Sequence, residues 1–223
     1  MVCLKLACLQ ARELSLSQIK EIRDSTTIAL ESFIHGALCA SYSGQCYLSA
    51  RVTGRSANRG VCAQVCRSLY NLVDSNGKIL IRERALLSMK DLNLGNYIPE
   101  LAEKLNKVRE KRRLVLKQER ENDNDSEKKL KGLRFDYRAN ISNNLARELY
   151  KSLGADIIED AFEISAPTDA ELMRCKYCIK FELGLCPNEK ASKRMSEPLF
   201  LENNGKRYRL GFDCKNCEMV IFG

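Results

Sequence analysis

The sequence predicts an α/β fold in two parts, a partial (β/α) barrel followed by a small cysteine-rich α+β domain that binds metal. Three observations support this prediction. A strand–helix–strand pattern opens the 223-residue chain. Nine of the eleven cysteines fall into two groups, within residues 39–66 and 175–217. A charged stretch separates these two groups. We therefore predict a barrel segment at 1–103, a charged helix and linker at 104–132, and a C-terminal domain at 133–223.

The opening βαβ unit comprises strands 1–9 and 26–34 and a helix at 11–25. Ser15 and Gln18 have the spacing of a capping box, and apolar residues recur every three positions along one helix face. Two strands joined by a helix at these lengths predict parallel pairing. A complete eight-stranded barrel needs about 200 residues or more, so a barrel within the first part can only be partial.

The middle of the first part reads as irregular. Residues 35–75 are rich in Gly, Ser, Cys and Arg and show no sustained period, which predicts a long loop after a strand end. In α/β barrels, loops at the C-terminal ends of strands carry the chemistry. Strand character returns in 78–92, and a helix is predicted from Pro99 into the charged segment.

The second part begins near residue 133. A helix capped by Ser142 or Asn143 and ended by Gly154 is predicted first. Three leucines recur along one face of this helix: Leu145, Leu149 and Leu153. Further on, a β-hairpin is predicted to turn at Asn204–Gly205, because Asn-Gly is the strongest short hairpin signal.

The first cysteine group is spaced C-x6-C-x15-C-x3-C and consists of Cys39, Cys46, Cys62 and Cys66. Four thiolates are the usual ligands of a [4Fe–4S] cluster. Structural zinc also accepts four thiolates, but most often through CxxC pairs, and this group has none. The spacing favours iron–sulfur over zinc, and scattered buried thiols are the alternative without a metal.

The second group contains two CxxC pairs and one further cysteine: Cys175, Cys178, Cys186, Cys214 and Cys217. A CxxC pair that is followed, after a predicted hairpin, by another CxxC pair is typical of zinc sites. Any four of these five thiols could bind Zn²⁺, and the spacing does not decide which.

Hydrolytic motifs are absent from the sequence: it has no H-E-x-x-H, G-x-S-x-G or P-loop. The single histidine, His35, stands four residues before Cys39, so a Cys–His nucleophile pair is one interpretation. We favour His35 as a buried turn residue that donates to a backbone carbonyl or a carboxylate, and Glu31 is the candidate carboxylate. His35 and Glu31 are therefore the catalytic candidates, placed to shape a pocket or touch substrate beside the first cysteine group.

Charge favours a polyanionic partner. The formal net charge is +8, and residues 104–131 hold 11 Lys or Arg against 6 Asp or Glu. This balance fits RNA binding, although a solvated charged helix has the same composition. No apolar run reaches the roughly 18 residues that a membrane span needs, and the opening lacks a basic leader. We therefore predict a cytoplasmic protein without a membrane segment.

The stretch ESFIHGALCASYSGQCYLS, residues 31–49, resembles the signature of the collagenase-like peptidase family of unknown catalytic type, family 32. The resemblance continues through NRGVCAQVCRSLY (58–70) and LLSMKDL (86–92). The distal motifs YC, ELGLC and FDCKNCEM resemble the C-terminal region of longer members. Relative to that family, the chain looks shortened at its front and internally deleted.

The resemblance implies a partial (β/α) barrel and two bodies of function, peptide hydrolysis and oxygen-independent hydroxylation of RNA bases or a quinone precursor with a [4Fe–4S] cluster. It places Cys39, Cys46 and Cys62 on cluster-ligand positions. Many members carry a cysteine after the KDL triplet, where this chain has Asn93, so Cys66 is the substitute fourth ligand. The distal resemblance begins at Cys178. The implied zinc ligands are Cys178, Cys186, Cys214 and Cys217, with Cys175 as a substitute.

These expectations give three functions. The first is Fe–S-dependent hydroxylation of a tRNA or rRNA base, with RNA as partner. The second is peptidase activity on a peptide substrate, as the family name says. The third is a non-catalytic, metal-stabilised binding fragment, since barrel strands are missing.

Overall fold

The computed structural model describes residues 7–9, 14–26, 28–101, 130–186 and 196–223. These residues group into two compact units. The first takes the described residues up to Cys39 and from Met89 to Leu101, and the second takes the rest. The predicted charged helix falls almost wholly on 102–129, outside the described residues, so it and the predicted domain boundary beside it stay predictions.

Within the described residues the chain forms twelve short strands and four α-helices. The strands are β1 (Ala7–Leu9), β2 (Ala29–Glu31), β3 (His35–Gly36), β4 (Tyr70–Val73), β5 (Ile79–Arg84), β6 (Leu92–Asn93), β7 (Arg134–Phe135), β8 (Asp156–Ile157), β9 (Glu171–Cys175), β10 (Phe200–Asn203), β11 (Lys206–Asp213) and β12 (Glu218–Phe222). The helices are α1 (Leu16–Ser25), α2 (Leu48–Thr53), α3 (Asn144–Ser152) and α4 (Ile179–Glu182).

The first unit contains the predicted βαβ arrangement. β1 and β2 pair in parallel, with α1 between them in sequence. The capping box at the start of α1 is present: the Ser15 hydroxyl accepts the Gln18 N–H at 3.3 Å, and the Ser15 N–H donates to Gln18 Oε1 at 2.9 Å. A second pair in this unit, β3 with β6, is antiparallel and sets His35 opposite Asn93.

The second unit is built on a six-stranded sheet in the order β5-β4-β10-β11-β12-β9, in which every neighbouring pair is antiparallel. The sheet combines two strands from the first hundred residues with four from the C-terminal region. Tyr208 and Leu210 are buried alternately on β11, and the three central residues of β12, Met219, Val220 and Ile221, are all buried. Asn204 and Gly205 both have positive φ, as a two-residue hairpin requires, so the predicted hairpin is confirmed.

Two expectations change. The segment 35–75 is not a plain loop, because it contains α2 and β4, and β4 lies inside the sheet between β5 and β10. A four-residue strand whose other partner comes from far along the chain leaves no periodic signal.

The mixed α/β class is confirmed, whereas the described residues form no closed barrel, since parallel pairing among them is limited to β1–β2 and β7–β8. The partial barrel stays a prediction.

Helix α3 begins and ends where the sequence indicates. Asn143 is its N-cap, and the Asn143 side chain accepts the Ala146 N–H at 2.8 Å. Gly154 follows its end with φ 86°, a left-handed conformation that favours glycine. Two of its three aligned leucines are open to solvent in this unit, Leu145 at 79% and Leu149 at 57% exposed. Across the described part of the chain, no helix is long and apolar enough to span a membrane.

Candidate functional site

The family-like motif is fastened to the edge of the large sheet. The Tyr42 N–H donates to the Arg174 carbonyl at 3.1 Å, and the Tyr47 N–H donates to the Leu172 carbonyl at 2.7 Å. Between these bonds, Cys46 forms an antiparallel bridge with Met173. Residues 42–47 therefore lie along β9 as an additional edge segment, and the main chain around Cys46 is fixed by the C-terminal sheet.

Side chains reinforce this attachment. Arg174 binds Glu171 through two bonds, at 2.7 and 2.8 Å, and donates to Glu218 at 2.8 Å. Tyr42 donates its hydroxyl to the same Glu218 at 2.7 Å. That hydrogen bond, aided by burial, raises the pKa of Tyr42 to about 12. The bonds from Arg174 and Tyr42 lower the pKa of Glu218, so the carboxylate is held ionised as the acceptor of both.

Tyr47 anchors the motif in the core. It is 1% exposed, and its ring packs against those of Tyr137 at 5.3 Å and Phe162 at 5.1 Å between centroids. Burial raises the pKa of Tyr47. Among the residues that the structure describes, its buried hydroxyl has no hydrogen-bond partner, so the contribution of Tyr47 to this position comes from its ring.

Two asparagines hold the loop that carries Cys46. Asn58 Oδ1 accepts the Cys46 N–H at 3.1 Å. Asn140, in a left-handed conformation with φ 55°, donates from Nδ2 to the Gly44 carbonyl at 2.9 Å. The two side-chain amides also contact each other at 3.4 Å. Sequence reasoning missed both residues, because an asparagine in a loop carries no recognisable spacing signal.

Cys62 and Cys66 follow in the same unit. Cys62 is exposed, and its sulfur accepts the Gln64 N–H at 3.3 Å. The Ala63 N–H donates to the buried Ser49 hydroxyl at 3.0 Å, which ties this loop to α2. Cys46 and Cys66 both lie close enough to the buried Tyr70 to add to the effect of burial in raising its pKa.

Cys39 belongs to the first unit, with the two catalytic candidates. His35 is exposed, not buried as the sequence suggested, because β3 is only two residues long and pairs only with β6. Glu31, the last residue of β2, is also exposed. His35 and Glu31, which both lie within the described residues, share no hydrogen bond or ion pair, so Glu31 is not the partner of His35.

The donor chemistry of the first group suits a [4Fe–4S] cluster. All four ligand candidates are thiols, and the Cys62 sulfur already accepts a backbone N–H, as cluster thiolates do. Cys39 belongs to one unit, whereas Cys46, Cys62 and Cys66 belong to the other. The convergence of the four sulfurs on one cluster is therefore an expectation. Among the described residues, no three His, Cys, Asp or Glu side chains are arranged to hold a metal ion as they stand. The cluster therefore stays a prediction.

The C-terminal cysteines surround one cavity of about 230 Å³. Its lining includes four of the five thiols, those of Cys178, Cys186, Cys214 and Cys217. The remaining wall is formed by Phe181, Phe212, Lys176, Asp213 and Glu218. Burial raises the pKa of the Cys214 thiol, the nearby Cys186 and Cys178 add to this effect, and Lys180 opposes it.

Cys175, the fifth thiol, lies outside this cavity. It is fully buried at the end of β9, where its sulfur contacts the carbonyls of Tyr177 at 3.1 Å and Met219 at 3.6 Å. Its position in a paired strand directs it into the core and away from the other four.

A basic surface accompanies the motif. Residues 40–69 contain four arginines and no Asp or Glu: Arg51, Arg55, Arg59 and Arg67. Arg51 and Arg55 are exposed, and Arg59 pairs with Glu163 at 3.9 Å. This imbalance was readable from the sequence but is less conspicuous than the charged stretch 104–131, which lies mostly outside the described residues.

These features define a mixed α/β protein with two cysteine groups, one of them on a family-like motif beside a sheet edge. Residues 7–108 match the family model of Peptidase family U32. Over these residues the chain is therefore similar to Peptidase family U32, as the motif resemblance indicated.

Relatives of this chain have two kinds of name. It is 55% identical over 92 residues to the 23S rRNA 5-hydroxycytidine C2501 synthase of Escherichia coli. This alignment covers 40% of this chain and 14% of the relative. It is 43% identical over 99 residues to tRNA hydroxylation protein P1 of Bacillus subtilis, covering 42% and 24%. It is also 43% identical over 74 residues to a collagenase of Porphyromonas gingivalis, covering 33% and 20%.

The matched segment thus spans a quarter or less of the length of these three relatives. No solved structure shows significant similarity to the chain.

Proposed function

We propose that this chain acts in Fe–S-dependent hydroxylation of an RNA base, in tRNA or rRNA. The observation that carries the proposal is the 55% identity to a 23S rRNA 5-hydroxycytidine synthase. Similarity to a tRNA hydroxylation protein points to the same chemistry on a second RNA class. Because the matched segment is a small part of these relatives, substrate and activity are proposals for this chain.

Local charge supports an RNA partner. The four arginines of residues 40–69 lie on the same segment as Cys46, Cys62 and Cys66, and this segment has no acidic residue. Neutralisation of backbone phosphates by Arg and Lys supplies most sequence-independent RNA affinity. Arg51 and Arg55 are exposed and available for this role, so an RNA strand would be drawn towards the cysteine segment.

In this proposal Cys39, Cys46, Cys62 and Cys66 hold the cluster. When bound, a [4Fe–4S] cluster supplies one-electron chemistry that no side chain of the chain provides. The protein's own groups position the ligands: Asn58 fixes the main chain at Cys46, and Ser49 fixes it beside Cys62. His35 and Glu31, which are exposed just before Cys39, would contact a base or its ribose.

Peptide hydrolysis is the second candidate, and the similarity to a collagenase favours it. It would have to use Cys39 and His35, since His35 is the single histidine of the chain. The peptidase reading accounts for neither the other cysteines nor the basic segment. Hydroxylation accounts for both.

The test combines metal content with nucleoside analysis. Anaerobically purified chain is expected to hold about four irons with matching sulfide, and Cys39→Ala to lose them. Expressed in a host lacking its own U32 hydroxylation proteins, the chain should add one oxygen to an RNA nucleoside, detected by mass spectrometry. Cys175→Ser, which removes a thiol outside the four cluster ligands, is the matched control and should retain iron and product.

Three results would overturn the proposal. Cleavage of gelatin that Cys39→Ala abolishes and iron removal does not would establish the peptidase. Iron-free protein that carries zinc on the first cysteine group would exclude the cluster. Bound metal without either activity would identify a metal-stabilised binding fragment.

A further inference from the structure

The four-cysteine cavity lies at one end of the six-stranded sheet, and strand register places it there. β9 and β12 run antiparallel with Cys175 opposite Met219. The loop that leaves β9 and the turn that enters β12 therefore meet at the same end of the sheet. Cys178 is on that loop and Cys217 on that turn, so their proximity is dictated by backbone pairing.

Hydrogen bonds fix the conformation of the turn between β11 and β12, which carries two thiols. Asp213 pairs with Glu218 across it. The Asp213 carboxylate accepts the Asn216 N–H at 3.1 Å and the Asn216 side-chain amide at 2.8 Å. Cys217 adopts a left-handed φ of 54°, which a non-glycine residue keeps only when its surroundings enforce it. Cys214 and Cys217 are thereby held on one short turn.

The opposite wall presents two thiols across a single helical turn. Cys178 is the N-cap of α4, and its carbonyl accepts the Glu182 N–H at 3.1 Å. Gly184, with φ 66°, ends the turn in the left-handed conformation that favours glycine. The Leu185 N–H then returns to the Lys180 carbonyl at 2.7 Å. The chain thus doubles back and brings Cys186 to the same cavity as Cys178.

We propose that this cavity is a structural zinc site whose ligands are Cys178, Cys186, Cys214 and Cys217. Four thiolates in two pairs are a preferred ligand set of tetrahedral Zn²⁺. The site goes beyond the proposed function, because it shares no residue with the first cysteine group. Zn–S bonds are about 2.3 Å, and the thiols line the cavity without standing at that distance from one point. Binding therefore draws α4 and the β11–β12 turn together.

The surroundings offset the charge of such a site. Zinc with four thiolates carries two net negative charges. Lys176 lines the cavity, and Lys180 lies with Nζ 4.0 Å from the ring centroid of Phe212, another lining residue. Lys180 also pairs with Glu197, and Asp213 and Glu218 line the same cavity, so the two lysines offset part of the two excess charges.

The test uses the full chain, expressed with Zn²⁺ in the medium. The expected result is one zinc per chain by elemental analysis, and loss of that zinc in Cys178→Ser and in Cys214→Ser. Cys175→Ser is the matched control, since Cys175 is a neighbouring thiol outside the cavity, and it should retain the metal. Zinc that disappears in Cys175→Ser and persists in Cys178→Ser would overturn the ligand assignment.

A measurement on the unaltered chain keeps the proposal testable if a variant fails to fold. Alkylation mapped by mass spectrometry should leave the four cavity cysteines protected until a chelator is added, and all four should be modified afterwards. Folded, zinc-free chain in which all four are alkylated would overturn the site. A disulfide between cavity cysteines, or iron bound by them, would do the same.

Discussion

The two cysteine groups of this chain differ in how the fold gathers them. The C-terminal thiols line one cavity because paired strands and a short turn bring their segments together. The thiols of the first group are divided, with Cys39 in one compact unit and three others in the second. The CxxC pair Cys214–Cys217 is positioned by the local backbone of a hairpin turn, whereas ligands separated by long irregular segments depend on tertiary contacts or on the metal itself.

A second difference concerns support. The motif around Cys46 is attached to β9, and β4 is completed by β10. The family segment therefore depends on strands of the C-terminal region. The C-terminal cavity depends only on its own strands and loops.

The largest expected effect follows from this dependence. Deleting residues 171–223 removes four of the six sheet strands, together with the carbonyls that hold Tyr42 and Tyr47. The remaining chain should lose cooperative thermal unfolding, measured by circular dichroism. A chain ending at Ala170 that still melts cooperatively would show that the family segment folds independently, and would contradict this comparison.

Removal of zinc should be the next largest effect. At free zinc a thousandfold above its Kd, binding stabilises the folded state by about 4 kcal/mol. A chelator selective for zinc should lower the melting temperature accordingly while leaving the iron absorption of the first group unchanged. Equal loss of both metals, or no shift in melting temperature, would argue against two separate sites.

Two tyrosine variants distinguish the hydrogen bond of Tyr42 from the ring packing of Tyr47 as contributions to the attachment of the motif to the second unit. Tyr42→Phe loses the hydrogen bond to Glu218 and should lower the free energy of unfolding by about 1.5–3 kcal/mol, the range for bonds to charged groups. Tyr47→Phe is the matched control: its hydroxyl has no hydrogen-bond partner in the described part of the chain, so removal of this hydroxyl should leave the free energy of unfolding unchanged or raise it. Chemical denaturation measures both, and destabilisation by Tyr47→Phe alone would contradict the prediction.

The Tyr42 effect should depend on pH in a defined direction. Its pKa is about 12 in the folded chain and about 10 when unfolded. A raised pKa favours the protonated phenol in the fold, so the stabilisation is complete below about pH 10 and declines as the pH rises through about 12. The difference between wild type and Tyr42→Phe should narrow over that interval.

Asn58→Ala should have a smaller effect. It leaves the Cys46 N–H without its 3.1 Å acceptor, which costs about 1 kcal/mol in the free energy of unfolding. The retention of iron by the first group should fall as well, because the main chain at Cys46 is no longer fixed. Asn96→Ala, at an exposed position, is the control and should change neither quantity.

Asp156→Asn should have the smallest effect. The Arg134–Asp156 pair spans 3.8 Å, with side chains 71% and 68% exposed. Exposed pairs of this kind contribute about 0.5 kcal/mol or less. Denaturation midpoints of variant and wild type should agree within that limit, and a larger shift would show that the β7–β8 pair supports more of the second unit than its exposure suggests.

Much of the local structure could be predicted from the sequence. The capping box at Ser15, the cap at Asn143 and the turn at Asn204–Gly205 are confirmed. Each depends on side chains within a few residues of the backbone group they bind, so the sequence alone specifies them. Family membership could be predicted as well, because its motif is a contiguous string.

Long-range placement could not be predicted. The sequence predicts a loop where β4 lies. Its four residues carry no strand pattern of their own, and the strand forms through pairing with its neighbours in the sheet. His35 was expected in the interior, but a two-residue strand at the edge of a small pair leaves it exposed. Asn58 and Asn140 act only because the fold brings them to the loop that carries Cys46.

The sequence by itself therefore determined the caps, turns, cysteine spacing and family of this protein, all of which arise from neighbouring residues. Only the tertiary structure decided that four C-terminal thiols line one cavity while Cys175 is sealed in a strand. It also decided that the family motif is held by the C-terminal sheet. The physical reason is that strand pairing joins residues far apart in sequence through backbone hydrogen bonds, and every residue except proline carries the same backbone donor and acceptor, so the sequence does not specify the partner strand.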